Sequence, residues 1–560
     1  MSEDLCFLSI VETSDLIQRR EITPTELVDA CLDRVAAIDG QLNSFITVTA
    51  EHARKQAQAA TVELARGHSR GVLHGIPFGL KDMFNTAGIA TTAHSRLLQN
   101  NIPASDAAVV TKLYQAGAVL IGKQSSHEFA HGGPSFDLPW PPARNPWNPQ
   151  HYTGSSSTGS GAAVAAGLGA FALGTDTGGS VRTPAWLCGV VGMKPTFGLV
   201  GRSGVIPFSA SCDHVGPLTR TVRDTALVLQ AIAGHDRGDP GSMAGSVPDF
   251  QAELGAGIEG MRFGVPRHHW EEDTRANEEL RAALDTALAV LRDLGAQVED
   301  VRLASLHEYY SVRIMLTESE LFVRHQNTLR QNAGVYSDHF LGRALAACLF
   351  SSTDYLAAQR QRRRVIAQMQ PIYARYDALI TVGSGPAPHL DAHRSIGATQ
   401  KWSSPGMGTL FSITGAPALA LPCGFSKGGL PLGMQIAGRP FEDAKVLRIG
   451  HAYEQAARWF ERHPSLQPGA EAPPIDTTHA QPPEIDATDE IRQLVEAGIR
   501  NAGLELNPHQ LALLYESAPH AIAMARRLPR DLDLADETAA VFRMEPSAAG
   551  SPEGFPHRPL

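Results

Sequence analysis

Two serine and glycine clusters, GSSSTGSG beginning at Gly154 and GTDTGGS ending at Ser180, carry the strongest chemical signal in the chain. Small residues let backbones approach closely and leave N–H groups free to face a ligand. The amides of Thr177, Gly178, Gly179 and Ser180 could therefore converge on one developing anion, an oxyanion hole by composition. Either cluster alone reads as a flexible loop. Together they say more, because Ser156 and Ser180 are 24 residues apart, across one helix and one strand, a span that can return the chain to the same sheet edge. A serine nucleophile also needs a base. No histidine sits in a recognisable elbow-to-base arrangement, so lysine remains. Its reference pKa of about 10.4 must fall, which requires burial away from carboxylates or near positive charge. Lys81 and Lys123 each end a strand-like segment.

Other constellations compete for attention. His127, Glu128 and His131 spell HEFAH, which matches the HExxH pattern of zinc hydrolases when both histidines share a helical face. Gly132, Gly133 and Pro134 follow at once and would end such a helix. Gly154 and Gly159 imitate a phosphate loop, but Ser160 stands where its lysine belongs. Asp176 and Arg182 flank the second cluster and read as a structural ion pair or as substrate contacts. Asp82 would raise the Lys81 pKa if it faced the amine, yet neighbours on a strand point to opposite faces. Trp140 and Trp147, in PWPPARNPWNPQ, read as a pocket wall or as local packing around prolines.

The ordered motifs GIPFGLKD, VLIGK, GSSSTGSGAAVAAG, GTDTGGSVRTP, GMKPTFG and CDHVGPLTR resemble the amidase signature hydrolases over roughly the first 460 residues. The resemblance implies a Ser-cisSer-Lys triad with nucleophile Ser180, bridging cis-peptide serine Ser156 and base Lys81, and oxyanion donors from Thr177 to Ser180. Lys123 is thereby passed over. The family usually has two glycines before its first motif serine, whereas this chain reads Gly154, Ser155, Ser156, Ser157. The 24-residue spacing selects Ser156, with Ser155 and Ser157 as the neighbouring registers. Ser157, His131, Gly132 and Arg182 are further substrate-binding candidates, with His131 lining the cleft.

Strand and helix patterns alternate to position these residues. Thr23, Pro24 and Glu26 predict a capped helix through LVDACLDRVAAI. DAAVVTKLYQ predicts a helix leading into strand AVLI, and GAAVAAGLGAFALGTD a helix and a strand between the serine clusters. RFGVP, DALITVGS and APALALP add strands, and Leu280, Ala283, Leu284, Ala287, Leu288 and Leu291 a helix closed by Gly295. The expected fold is α/β: an amidase-signature fold with a large mixed central sheet covered by helices on both faces, plus a small C-terminal all-α module.

The expected domains are a catalytic unit over 1–462, a Pro-rich tether over 463–487, a helical module over 488–545 and a disordered tail over 546–560. In the module Thr488 caps a helix with Ile491, Leu494, Val495, Gly498 and Ile499 on one face, ended by Gly503. Asn507, Pro508 and Gln510 open a second helix, with Leu511, Leu514 and Tyr515 on one stripe, that Pro519 kinks or ends. So short a module cannot bury much alone, so it should pack on the main unit or on a partner subunit. It resembles the small accessory subunit of tRNA-dependent amidotransferases and the small partner of carboxybiuret hydrolase.

The chain has 560 residues and a formal charge of -10, with no long single-sign block, which disfavours nucleic-acid binding. Six scattered cysteines argue against a disulfide framework or a zinc knuckle. The acidic MSEDL start and the lack of a long uncharged apolar run give the expectation of a cytoplasmic protein off the membrane. No cofactor or metal is expected, and a homodimer is. The leading expectation is an amidohydrolase that cleaves a small amide, ureido or carbamate compound and releases ammonia or an amine. The alternatives are the glutaminase component of a tRNA-dependent amidotransferase, a scaffold with a decayed site and, through HEFAH, a zinc hydrolase.

Overall fold

The computed structural model describes residues 5–394, 402, 405–475 and 487–530. Local signals act as their chemistry requires. Thr23 accepts from Glu26 N while the Glu26 carboxylate caps Thr23 in return, and Pro24 opens the helix Pro24–Ile38. Leu280, Leu284, Ala287, Leu288 and Leu291 form the buried stripe of the helix Glu278–Asp293.

Thirteen strands are described. They are β1 (Phe45–Val48), β2 (Pro77–Lys81), β3 (Val119–Gln124), β4 (Arg144–Asn145), β5 (Asn148–Tyr152), β6 (Phe171–Asp176), β7 (Val191–Lys194), β8 (His214–Thr219), β9 (Arg262–Val265), β10 (Gln297–Asp300), β11 (Ala378–Val382), β12 (Ala418–Phe425) and β13 (Pro431–Ala437). Eleven form one mixed sheet in the order β1-β3-β2-β6-β8-β7-β12-β13-β11-β9-β10, with β4 and β5 paired apart from it. Strands β3, β2 and β6 run parallel, β6 to β11 are joined through antiparallel pairs, and β11, β9 and β10 are parallel again.

One face of the sheet presents Phe78, Leu80, Phe171, Leu173, Ile380, Leu419 and Met434 to the helices Ala108–Gln115, Val222–Ile232, Glu278–Asp293 and Asp443–Ala457. The other carries Leu218 and the small residues Ala172 and Ala420 against the short helices Thr158–Ala165 and Arg182–Cys188. Small side chains there bring the serine clusters down onto the sheet.

A second core lies among the helices Leu306–Asn332, Asp338–Ala344 and Ser352–Arg375. The C-terminal helices Asp489–Ala502 and Pro508–Arg527 join it through buried Val495, Leu513, Leu514, Ala518, Ala521 and Met524. The module therefore packs on its own chain. Thr488 and the Asn507–Gln510 pair cap these helices, and Gly503 ends the first at φ 64°. One expectation fails here and one alternative of another is excluded. Leu494 lies at the margin of its stripe and is 41% exposed. Pro519 does not end its helix, which continues to Arg527 because residues on both sides of the proline are anchored in the same core.

The described part of the tether, 463–475, lies along the main body: Gln41 donates to Gln467 O, Arg144 to Pro473 O, and the amides of Gly469 and Ala472 to Ala37 O and Gly40 O. The rest of the tether, 476–486, lies outside the described residues, as do 531–545 of the module and the tail 546–560.

Because Leu514 is fully buried, Leu514→Ala is expected to cost about 2–5 kcal/mol in urea unfolding, within a single transition for the whole chain. A loss below about 1 kcal/mol, or a separate early transition, would show that these helices are not part of the main core.

Candidate active site

The site begins with a register change in the sheet. Phe78 and Leu80 point into the larger core, which sends Lys81 to the side where the serine clusters lie. Strand β3 carries one extra residue opposite the Phe78–Gly79 step, so that Phe78 pairs with Leu120 but Leu80 with Lys123. Such a bulge turns the following side chains to the opposite face. Lys81 and Lys123, similar in sequence, therefore face apart.

Lys123 is held by Asp82 at 3.0 Å, Phe84 O at 2.8 Å and Thr91 Oγ1 at 2.7 Å, all buried. Asp82 also accepts from Thr92 N and Oγ1, so its charge is directed away from the other lysine. Lys81, fully buried, places Nζ 2.7 Å from Ser156 Oγ and 2.7 Å from Thr175 Oγ1. Burial pulls its pKa down from the ordinary lysine range to about 7, against the opposing pull of Asp213 and Asp176. An amine so placed can accept a proton near neutral pH.

The peptide bond between Ser155 and Ser156 is cis. His127 N donates to Ser156 O at 3.1 Å, and Ser157 N donates to Ser180 O at 3.1 Å, which stitches the two serine loops side by side. Ser157 Oγ donates to Thr175 O at 3.3 Å. A Cβ on Gly174 would stand 2.5 Å from that hydroxyl, so the strand must carry glycine there. Among the described residues no hydrogen bond joins Ser156 Oγ to Ser180 Oγ; the backbone stitch is what holds the second hydroxyl near the first.

Asp176 shapes the loop that carries Ser180. Its carboxylate accepts from Gly179 N at 2.8 Å, Val181 N at 3.2 Å and the Arg182 guanidinium at 2.9 and 3.0 Å. Burial alone would favour its neutral form, but Arg182 outweighs this and holds the carboxyl well below the usual range. Arg182 also donates to Gly408 O, Gln435 Oε1 and Ser412 Oγ, which engages all five N–H donors. Expected from sequence to be a substrate-binding candidate, Arg182 has no donor left for a ligand and clamps the loop instead. The four-amide expectation also changes: Gly179 N is taken by Asp176, while the amides of Thr177, Gly178 and Ser180 have no acceptor among the described residues.

HEFAH does not form the helix a zinc site would need. Glu128–Ala130 is a single tight turn, with Phe129 and Ala130 at φ 48° and 59°. His131 Nε2 meets Glu318 at 2.6 Å, and Arg343 meets the other Glu318 oxygen at 2.8 Å. Glu128 accepts from Ser95 and Ser337 instead. Gly132, at φ +73°, lies against His339 O, where a Cβ would stand 2.6 Å away. Among the described residues no group of three His, Cys, Asp or Glu side chains is placed to hold a metal ion. Trp147 packs locally, donating to Cys188 O and lying edge-on to Phe425, and Trp140 sits against His94.

Sequence reasoning missed Thr175, Asp213 and Glu318. Asp213 accepts from Thr177 Oγ1 at 2.6 Å and from two backbone amides, so it anchors the start of the amide loop. Its place in CDHVGPLTR was the available signal. Thr175 also lines a cavity of about 400 Å³ with Ala130, Phe208, Asp213 and His214, so the lysine's second partner borders open space. Glu318 lies in a helix with no motif, and only the fold reveals it.

The chain is similar to known proteins over most of its length. The family model described as Amidase matches residues 26–447. The chain is 38% identical over 486 residues to a glutamyl-tRNA(Gln) amidotransferase subunit of Moorella thermoacetica, covering 83% of this chain and 99% of that protein. It is 38% identical over 472 residues to an amidase of Pseudomonas putida, covering 82% and 98%. The solved structure of native peptide amidase from Stenotrophomonas maltophilia superposes with a TM-score of 0.72 at 31% identity, covering 82% of this chain and 98% of that one. With a family match over most of its length and a shared sheet architecture, this chain belongs to the amidase signature family of hydrolases that act on carbon–nitrogen bonds.

Proposed function

We propose that the protein hydrolyses the carbon–nitrogen bond of a small amide, ureido or carbamate compound through an acyl-enzyme on Ser180. The observation that carries the reading is the buried Lys81 amine 2.7 Å from Ser156 Oγ. Neutral Lys81 takes the Ser156 proton as Ser156 takes that of Ser180, and Ser180 Oγ attacks the carbonyl carbon. The resulting oxyanion is stabilised by the free amides of the Thr177–Ser180 loop, each worth about 3 kcal/mol in comparable sites. The proton returns through Ser156 to the departing nitrogen, the C–N bond breaks, and water then attacks the ester by the same relay. Ser157 and Arg182 serve as loop fasteners, and His131, braced by Glu318, is the candidate wall residue.

A second reading, the glutaminase component of an amidotransferase, is supported by the 38% identity to one of the subunits of such an assembly. Cytoplasmic residence is part of the proposal, supported by six cysteines that form no disulfide. No described helix is long and apolar enough to cross a membrane. A homodimer is proposed too, with exposed Val323 and Leu356 on adjoining helices as apolar surface for a second copy.

Ser180→Ala and Lys81→Ala are each expected to abolish turnover of small amides with the fold intact by circular dichroism. Full activity in either purified variant would refute the relay. The purified chain alone should release ammonia from primary amides; release only with added tRNA-binding partners would favour the second reading. Because Lys81 must be neutral, and its pKa lies at about 7, kcat/KM should fall about tenfold per unit below pH 7 and level off above it. A profile flat from about pH 5 to 9 would remove Lys81 as the base.

A further inference from the structure

Arg313, on the helix Leu306–Asn332, is only 8% exposed. Its Nη1 reaches the loop that carries Ser180: a Cβ on Gly178 would stand 2.7 Å from it, so the glycine leaves room for the guanidinium. Gly178 is itself partly exposed. The cation lies over the Tyr310 ring at 4.9 Å. Among the described residues it forms no hydrogen bond or ion pair, and its Nε is buried without an acceptor. The neighbouring carboxylate on its own helix, Glu318, is already engaged by His131 and Arg343.

A buried guanidinium without a partner is costly and is ordinarily paired. Arg182, fully buried and a few residues along the same loop, shows what a structural arginine looks like here, since every donor is engaged. Arg313 differs in holding planar donors unused beside the catalytic loop, where an incoming group would meet them. An arginine fork matches a carboxylate in two parallel hydrogen bonds.

Building on the amidase reading above, we infer that Arg313 anchors a carboxylate of the substrate, so that the enzyme acts on short acidic amides rather than on neutral ones. Gly178 and Ser180 are two residues apart, so their Cα atoms lie within about 7 Å. The carboxylate and the attacked carbonyl are then separated by about one to three carbons.

The test compares malonamic and succinamic acids with the neutral isosteres butyramide and methyl succinamate. Wild-type kcat/KM should favour the acids by about 10- to 100-fold, and Arg313→Gln should remove that preference while neutral amides keep their rate. Equal loss on both sets would mean that Arg313 stabilises the oxyanion or the loop, and would overturn the anchor, as would a wild-type preference for neutral amides. Calorimetric binding of succinamate to Ser180→Ala separates this from the relay itself: affinity should fall at least tenfold in the Ser180→Ala, Arg313→Gln double variant. Carboxylate binding that ignores Arg313 overturns the anchor even if the relay is correct. Arg313→Met should melt no lower than wild type, because it removes an unpaired buried charge; a marked drop would identify a structural arginine instead.

Discussion

A single buried amine, kept free of facing carboxylates, is the constraint around which this molecule is arranged. Lys81 can act as a base only if its charged form is disfavoured, yet Asp82, Asp176 and Asp213 all lie near it in the chain or the fold. Each is bound elsewhere: Asp82 to Lys123 and Thr92, Asp176 to Arg182 and the loop amides, Asp213 to Thr177 and the backbone of Phe208 and Ser209. Their residual pull on Lys81 is outweighed by burial. The charge pairs around the site thus do double duty, since the same contacts that neutralise the carboxylates also shape the loops.

The loops depend on the thin face of the sheet. Gly174, Ala172 and the helix Thr158–Ala165 present little side-chain volume, so the backbone of one serine cluster can hydrogen-bond the other directly through Ser157 N and Ser180 O. Larger residues would hold the loops apart, and a stitch of this kind positions hydroxyls more firmly than side-chain contacts alone.

The helical layer supplies what the sheet lacks. The helix Leu306–Asn332 carries both Glu318, which braces His131, and Arg313, which reaches Gly178. The C-terminal helices pack on it as well, with Arg330 donating to Ala502 O and Arg527 to Ser311 Oγ. Those helices lie beyond the span matched by the family model, so this chain braces a site-bearing helix with its own C-terminal extension.

Much of the fold was legible in the residues. Capping boxes at Thr23 and Asn507, the Leu280–Leu291 stripe and the strands on either side of the serine clusters follow from local chemistry, which depends only on near neighbours. The serine and glycine clusters likewise announced their chemistry, because few other roles need so many small residues at fixed spacing. What tertiary structure alone decided was pairing. The bulge in β3 parts Lys81 from Lys123, Asp176 takes the Gly179 amide out of the expected four, Arg182 becomes a clamp, and Glu318 and Arg313 reach the site from a helix without a motif. These contacts join residues far apart in the chain, and side-chain direction, charge and burial at such points are set by packing that no local pattern encodes.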